Sequence, residues 1–303
     1  MDLSIKNVHE IKKFYNIIGI QSLTRLHSGY ANTNYRLSTE SGDSLLRIFT
    51  EKSLKDIQHE IDVLTYLQQE KFPAAFPVPR SDGEYITKSL YGNIVLYDYI
   101  EGNEGSINPR TVAVIARTVA RLHLLKGWVR YEKENALNIG LCQRTISRFN
   151  GSNHQYPEIF EYFIEQTEFL SKALLEKLPV GLVHGDIFPD NSLWNGDQLV
   201  AIVDFEEVCT DHFLYDIGVT INGFCFIHNR LDHELKDIFL KEYNSIRKIE
   251  PRELELLPFY IQWGAHAMIC WHLTHLLDGE DPRKMARLRF FMKRVQELRR
   301  NLQ

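Results

Sequence analysis

The sequence predicts an α+β protein of two lobes, the first rich in β-structure and the second mainly helical. Three observations predict it. Two runs of strand-forming residues flank a Ser41-Gly42-Asp43 turn near the start of the chain. From Asn108 onward, apolar residues recur almost throughout at helical spacing. One polar segment, 181–218, interrupts the helical region with hairpin-turn chemistry. A β-rich third followed by a helical remainder suggests two lobes with a cleft between them, a usual place for a small-molecule site.

The elements follow in order. Strands are expected over Asn34 to Thr39 and Ser44 to Phe49. Leu54, Ile57, Ile61, Leu64 and Leu67 then mark an amphipathic helix whose apolar stripe must pack on something, and the hairpin is the nearest candidate. FPAAFPVPRSDG ends that helix, and Asn93 to Ile100 reads as a strand running into Glu101-Gly102. The lobe boundary is placed there, giving 1–100 and 101–303. Val112, Ile115, Val119 and Leu122 form one face of the next helix, and further helical patterns cover 157–178, 233–247, 252–277 and 283–302.

Bulk properties narrow the function. At 303 residues, 44% hydrophobic and 25% charged, the chain can bury a core without staples. A net charge of −5 gives no basic field for nucleic acid or an anionic membrane, so the expected partners are small molecules. The four cysteines show no CxxC spacing and read as reduced thiols. The amino-terminal residues carry distributed charges and no apolar h-region, so the cytoplasm is the expected location. Phe259 to Leu277 is interrupted by Gln262, His266, His272 and His275 and reads as a buried helix, not a membrane span. Residues 281–303 carry a net charge of +6, with Leu288, Phe291, Val295 and Leu298 on one face, as expected of a docked terminal helix with a solvated basic side.

The chemistry concentrates in 181–218. Asn195-Gly196-Asp197-Gln198 is expected to be a hairpin loop, with Trp194 facing Leu199 and Asn191 facing Ile202. Asp204 then lies about 7 Å further along its strand. Asp186 sits in the loop just before the hairpin, so two carboxylates and an amide oxygen are expected to come together. A hard cation such as Mg²⁺ takes oxygen ligands and uses one or two carboxylates beside substrate phosphates, a role that fits Asn191 and Asp204. A carboxylate beside the metal that accepts a hydroxyl proton fits Asp186. The bland alternative is a polar hairpin with solvated acids.

The ordered set His184-Gly185-Asp186 to Asn191, then Val203-Asp204-Phe205, resembles the catalytic-loop and metal-loop pair of the aminoglycoside phosphotransferase and choline kinase superfamily. The resemblance implies a protein-kinase-like fold that uses ATP as co-substrate with Mg²⁺. It makes Asp186 the base, Asn191 and Asp204 the metal ligands, His184 structural, and Asp216 a brace for the catalytic loop. HGDIFPDNSLW, IVDFEEVCTD, LYDIGVTINGFCF and Asn32-Thr33-Asn34-Tyr35 are most similar to the type II homoserine kinase branch. Glu206 departs from that branch, which usually has an aromatic residue there. In the first lobe the resemblance pairs Arg47, where Lys is common, with Glu60, against a reading of both as surface charges. It places Ser28 and Asn32 on phosphate, and Tyr97, Tyr99 and Ile100 at the adenine hinge. His123 reads as a helix-packing histidine.

Three functions compete. Only eleven residues separate Asp204 from Asp216, too few for the activation segment on which protein kinases dock peptides. A pseudokinase scaffold is disfavoured by the presence of Asp186, Asn191 and Asp204 together. What remains is transfer of the γ-phosphate to a hydroxyl of a small, amino-bearing molecule. L-homoserine is the expected acceptor, with an aminoglycoside or amino alcohol as the alternative. Glu206, Asp211 and Asn222 are the candidate acceptor contacts, and Arg144 and Arg148 are candidates for a carboxylate.

Overall fold

The computed structural model describes residues 3–26, 32–149, 156–174, 177–276 and 282–300. Contacts divide the chain into two compact units, Met1–Asn103 with Ser192–Glu206, and Glu104–Asn191 with Glu207–Gln303. The architecture is α+β, with the long antiparallel sheet in the first unit and the long helices, apart from two, in the second.

In the first unit, α1 (Ile5–Tyr15) precedes β1 (Ile20–Leu26), β2 (Thr33–Thr39) and β3 (Gly42–Phe49). Helix α2 (Leu54–Gln69), β4 (Thr87–Ser89) and β5 (Gly92–Asp98) follow. The sheet order is β1-β2-β3-β5-β4, and every neighbouring pair is antiparallel. Side chains alternate across a sheet, and here the alternation has a use on each face. Tyr35, Leu37, Leu46, Ile48, Ile94 and Leu96 form one core with Leu3, Val8 and Ile11 of α1. The intervening Arg47 and Tyr97 face the opposite way and meet Glu60 of α2. Helix α2 therefore packs on the sheet, as its stripe requires. Its first turn is capped by Ser53, whose hydroxyl accepts from the Asp56 N–H at 3.2 Å.

The sequence reading missed α1, β1 and β4. It also placed the β2–β3 turn one residue late: Thr39 pairs with Gly42, so the two-residue turn is Glu40-Ser41. The polar hairpin differs in register as well. Its strands are Ser192–Asn195 and Gln198–Ile202, joined by Gly196-Asp197. Trp194 does face Leu199, but Leu193 then faces Ala201, leaving Val200 as a bulge. The extra residue puts Ser192, not Asn191, opposite Ile202, and Asn191 ends a 3₁₀ turn over Pro189–Asn191. This hairpin belongs to the first unit because the Ile202 N–H donates to the Pro73 carbonyl at 2.9 Å and Ala74 bridges to Ile202. A boundary drawn once along the chain at residue 100 does not provide for that.

The second unit holds α3 (Pro109–His123), α4 (Ile139–Phe149), α5 (Pro157–Ala173), α6 (Phe213–Phe224), α7 (His233–Asn244), α8 (Pro251–Leu276) and α9 (Pro282–Arg300). Asn108 and Thr111 form a capping box for α3, with Pro109 at its first position. Helices α6 and α8 cross at glycines. A Cβ on Gly218 would stand 2.2 Å from the Tyr260 carbonyl, and one on Gly264 would stand 2.8 Å from the Val219 nitrogen. Between α5 and α6, strand Val180–Val183 pairs antiparallel with Cys209–His212 and delivers the chain into His184-Gly185-Asp186. Helix α8 is buried from Tyr260 to Cys270, as its apolar content predicts, and among the described residues no helix is long and apolar enough to cross a membrane.

Candidate active site

In the second unit, the site begins with a carboxylate that never reaches solvent. Asp216, in the first turn of α6, is fully buried and accepts from the His184 N–H at 3.1 Å and the Gly185 N–H at 2.8 Å. Gly185 has φ +81°, a conformation that suits glycine, and it turns the chain so that both amides face Asp216. His123 Nε2 lies 3.1 Å from the same carboxylate, and His123 Nδ1 lies 2.6 Å from the Tyr243 hydroxyl. Burial lowers the His123 pKa, so the ring is neutral: Nε2–H donates to Asp216 and the Tyr243 hydroxyl donates to Nδ1. Burial pushes Asp216 up, but the His123 hydrogen bond, together with the Gly185 amide, outweighs burial and leaves its pKa below the usual range. Arg247, paired with Glu253 at 3.0 Å, donates to Tyr243 and ends the chain of contacts.

The braced loop presents Asp186. Its N–H donates to His184 Nδ1 at 3.2 Å, so His184, fully buried, is fixed in place by the loop it supports. The Asn191 amide nitrogen donates to both the backbone oxygen and Oδ2 of Asp186, each at 2.8 Å. One contact closes the loop and the other orients the carboxylate. Because the nitrogen is committed there, the amide oxygen of Asn191 points elsewhere and is available as a hard ligand.

In the first unit, Arg47 on β3 is the centre. It is 7% exposed, and its Nη1 lies 3.1 Å from Asp204 Oδ1, 3.2 Å from Glu206 Oε1 and 3.8 Å from Glu60 Oε1. Nε donates to Asn34 Oδ1 at 3.1 Å. Burial pulls the Arg47 pKa down, but the charges of Asp204, Glu206 and Glu60 raise it further than burial lowers it. Glu60, 2% exposed, accepts from the Tyr97 hydroxyl at 3.0 Å, and burial raises its pKa against the pull of Arg47. The reading of Arg47 and Glu60 as surface charges is therefore excluded. Asp204 takes φ +66°, a costly conformation for a residue with a Cβ and one that recurs where a side chain must be aimed.

Glu206 is held from three sides. Asn32 Nδ2 and Arg47 Nη1 donate to its Oε1, and Lys52 Nζ lies 3.3 Å from Oε2 and donates to its backbone oxygen at 2.7 Å. Burial, then the charge of Asp204, pushes its pKa up to about 8 in spite of the two cations. Of the remaining first-unit candidates, Tyr97 ends its side chain on Glu60, Tyr99 stacks under the Arg36 guanidinium at 4.4 Å, and Ile100 is half-buried beyond the end of β5. Ser28 lies outside the described residues.

The candidate acceptor residues differ in placement. Asp211 accepts from Asn135 Nδ2 at 2.7 Å and from the His212 N–H at 2.6 Å, and burial raises its pKa. Asn222 is fully buried, and its amide nitrogen spans the carbonyls of Gly218 (2.9 Å) and Ile261 (2.7 Å), which makes it a tie between α6 and α8 and not a lining residue. Arg144 and Arg148 are exposed on α4. Sequence reasoning missed Asn34 and Lys52. The β2–β3 register carries a signal for Asn34, since a two-residue turn puts it opposite Arg47. Lys52 follows β3 in a short loop and has no such signal.

A braced loop carrying an aspartate and an asparagine in one unit, and a buried arginine–glutamate pair beside the sheet of the other, are each parts that a phosphotransferase uses. Residues 22–257 match the phosphotransferase enzyme family (APH), and the chain belongs to it. Among curated proteins it is similar to the homoserine kinase of Parvibaculum lavamentivorans, 25% identical over 91% of this chain and 90% of that one. The homoserine kinase of Methylobacillus flagellatus is 26% identical over 87% of this chain and 82% of its own length. Among solved structures, a microcompartment-associated aminopropanol kinase superposes with a TM-score of 0.77 at 16% identity, covering 99% of this chain and 98% of its own. Amicoumacin kinase hAmiN, in complex with AMP-PNP, Ca²⁺ and Ami, gives 0.74 at 18% identity over 97% and 94%. These two likenesses establish the fold.

Proposed function

We propose that this enzyme transfers the γ-phosphate of ATP to the side-chain hydroxyl of L-homoserine, with Asp186 as the base. The observation that carries the reading is the pair of 2.8 Å contacts from the Asn191 amide to Asp186, which hold a carboxylate in one orientation and leave an amide oxygen free beside it. Asp186 accepts the hydroxyl proton as the acceptor oxygen attacks the γ-phosphorus and the bond from that phosphorus to the β,γ-bridging oxygen breaks, releasing ADP. Arg47, kept cationic by its three acids, orients the phosphates, and Glu60 keeps Arg47 in place. Asn191 and Asp204 are oxygen donors of the hard type that Mg²⁺ takes. Bound there, Mg²⁺ supplies charge neutralisation on the phosphates. Tyr97 to Ile100 serve as the adenine hinge, and Asn32 and Ser28 contact phosphate. Asp211 and Glu206 remain the candidates for the acceptor's ammonium.

L-homoserine is favoured because the two relatives quoted are homoserine kinases that align over most of both chains. The acids between Phe205 and Tyr215 are only Glu206, Glu207 and Asp211, few for a polycationic acceptor. A second reading, an amino alcohol acceptor, is supported by the likeness to an aminopropanol kinase. The deciding experiment is a coupled assay with MgATP over homoserine, serine, threonine, choline, 3-aminopropan-1-ol and several aminoglycosides. Homoserine should give the highest kcat/KM. An aminoglycoside or amino alcohol turning over while homoserine stays at background would replace the acceptor and keep the phosphotransfer chemistry.

A further inference from the structure

The terminal segment carries a net charge of +6 that the chemistry above does not use. Helix α9 turns Arg287 toward Phe188, at the end of the loop that carries Asp186, and Arg294 toward Asn222 and Phe226. The Arg287 guanidinium lies 5.5 Å from the ring centre of Phe188, two residues after Asp186, and 5.3 and 5.2 Å from those of Phe290 and Phe291. Phe188 and Phe291 themselves meet edge to face at 5.8 Å. Arg294, two turns further along the same face of the helix, is 5% exposed and lies over Phe290 and Phe226 at 4.2 and 4.6 Å.

What the pair lacks is acid. Elsewhere on α9, Arg289 and Arg299 reach Glu158 and Glu165. Arg294 instead donates to the Asn222 carbonyl and, at 3.4 Å, to Asn229 Oδ1, two neutral oxygens that orient the guanidinium without cancelling its charge. Among the described residues, neither Arg287 nor Arg294 pairs with a carboxylate. Burial lowers the Arg294 pKa to about 9, and Arg287 adds to the effect. His272 on α8, stacked on Phe291 at 6.3 Å, has its pKa lowered first by burial and then by the charge of Arg287.

An enclosed cation without a counter-ion is costly, and a bound anion removes that cost. Arginine's planar fork matches a carboxylate, and the phenylalanine faces hold the guanidinium in position without neutralising it. We propose that Arg287 and Arg294 bind the carboxylate of the acceptor, which makes them specificity determinants for a hydroxy amino acid over the corresponding amino alcohol. This rests on the amino-acid acceptor reading above. It also gives the carboxylate a partner beside the catalytic loop, where the exposed Arg144 and Arg148 of α4 offer none that is enclosed.

The test compares L-homoserine with 3-aminopropan-1-ol, which is homoserine without its carboxylate, in the full chain and in Arg287→Met, Arg287→Lys and Arg294→Gln. The homoserine-to-aminopropanol ratio of kcat/KM should fall about 10- to 100-fold in Arg287→Met, the range set by one charged hydrogen-bonded contact, with partial recovery in Arg287→Lys. Arg294→Gln should do the same if it folds, and Arg287→Met decides alone if it does not. Calorimetric binding of L-2-aminobutyrate, which has the carboxylate but no hydroxyl, reads the site without turnover. Weakened binding in Arg287→Met supports the assignment even if wild type fails to phosphorylate homoserine, an outcome that would sink the substrate reading alone. An unchanged ratio with unchanged aminobutyrate binding would overturn the carboxylate site, as would wild type that binds no α-amino acid.

Discussion

The Asn191 side chain donates its amide to Asp186 Oδ2 at 2.8 Å, across a 3₁₀ turn that the intervening Pro189 and Asp190 help to form. This contact makes a sharp expectation for the base. Asp186→Asn keeps the size of the side chain and removes the proton acceptor, so kcat should drop by about 10² or more while ATP affinity and melting temperature stay near wild type. Stopped assays and calorimetry on the purified variant measure the two parts separately. Near-wild-type turnover would show that Asp186 is not the base.

The reach of the sequence is uneven for physical reasons. Asp186, Asn191 and Asp204 stand out as candidates because chain order alone brings them into one short segment, and the period-three-to-four stripe announces α2 because its core face is continuous. Asn191 was misplaced by one position because a bulge at Val200 is a local choice that turn chemistry at Gly196 does not announce. The partners of Asp216 lie 93 and 32 residues away, at His123 and His184, so packing and not pattern unites them. Asn222 is a candidate acceptor contact by its place in the second lobe, yet its amide nitrogen is spent on two helix carbonyls.

Arg47 meets three carboxylates, and removing it leaves Glu60 and Glu206 enclosed with one cation fewer. Arg47→Ala should weaken ATP binding by about tenfold or more and lower stability by about 3 kcal/mol, the usual consequence of breaking a buried pair from one side. Glu60→Ala should reproduce part of both effects. A double-mutant cycle on ATP affinity should give coupling of about 1 kcal/mol or more. Strict additivity would mean that Glu60 does not act through Arg47.

Stability should fall on mild acidification. His266, fully buried against Phe163 and bonded to Thr167 at 2.9 Å, has its pKa pushed down to about 3 by burial, and His272 likewise. Unfolded histidines titrate near 6.5, so below that pH the unfolded chain takes up protons that the folded chain refuses. The stabilisation is complete above about pH 6.5 and is lost as pH falls toward 3. At pH 5 each histidine should have cost about 2 kcal/mol. Urea unfolding at pH 7 and pH 5 measures the loss, and His266→Gln should flatten the slope. A slope unchanged by that substitution would refute a neutral buried ring.

At the crossing of α6 and α8, a methyl group has nowhere to go. Gly264→Ala would press on the backbone of Gly218 and Val219, within 3.1 Å, and backbone cannot swing aside as a side-chain tip can. About 1 to 3 kcal/mol of destabilisation is expected, more than the helix propensity of alanine returns. Because Asp216 sits two residues before Gly218 on the same helix, kcat should fall along with melting temperature. A variant as stable and as active as wild type would mean that the helices do not cross so closely.

Asp216→Asn tests whether the catalytic loop is held by charge or only by shape. In the wild type the carboxylate accepts from the His184 and Gly185 amides and from neutral His123, which Tyr243, Arg247 and Glu253 hold in turn. An asparagine of equal size must turn an N–H toward one of those donors, leaving a buried amide or ring nitrogen without its acceptor, at a cost of about 1 to 3 kcal/mol. The loop that carries Asp186 would then shift, while Arg47 and Glu60, which we propose to hold the nucleotide, belong to a different unit. The expected signature is a fall in kcat of about tenfold or more with little change in the Kd for ATP, together with a lower melting temperature. His123→Gln, which can still donate to Asp216, should recover more activity than His123→Leu. Equal activity in the two would show that position 123 serves packing alone, and a loss of ATP affinity equal to the loss of kcat would mean that Asp216 supports more than the catalytic loop.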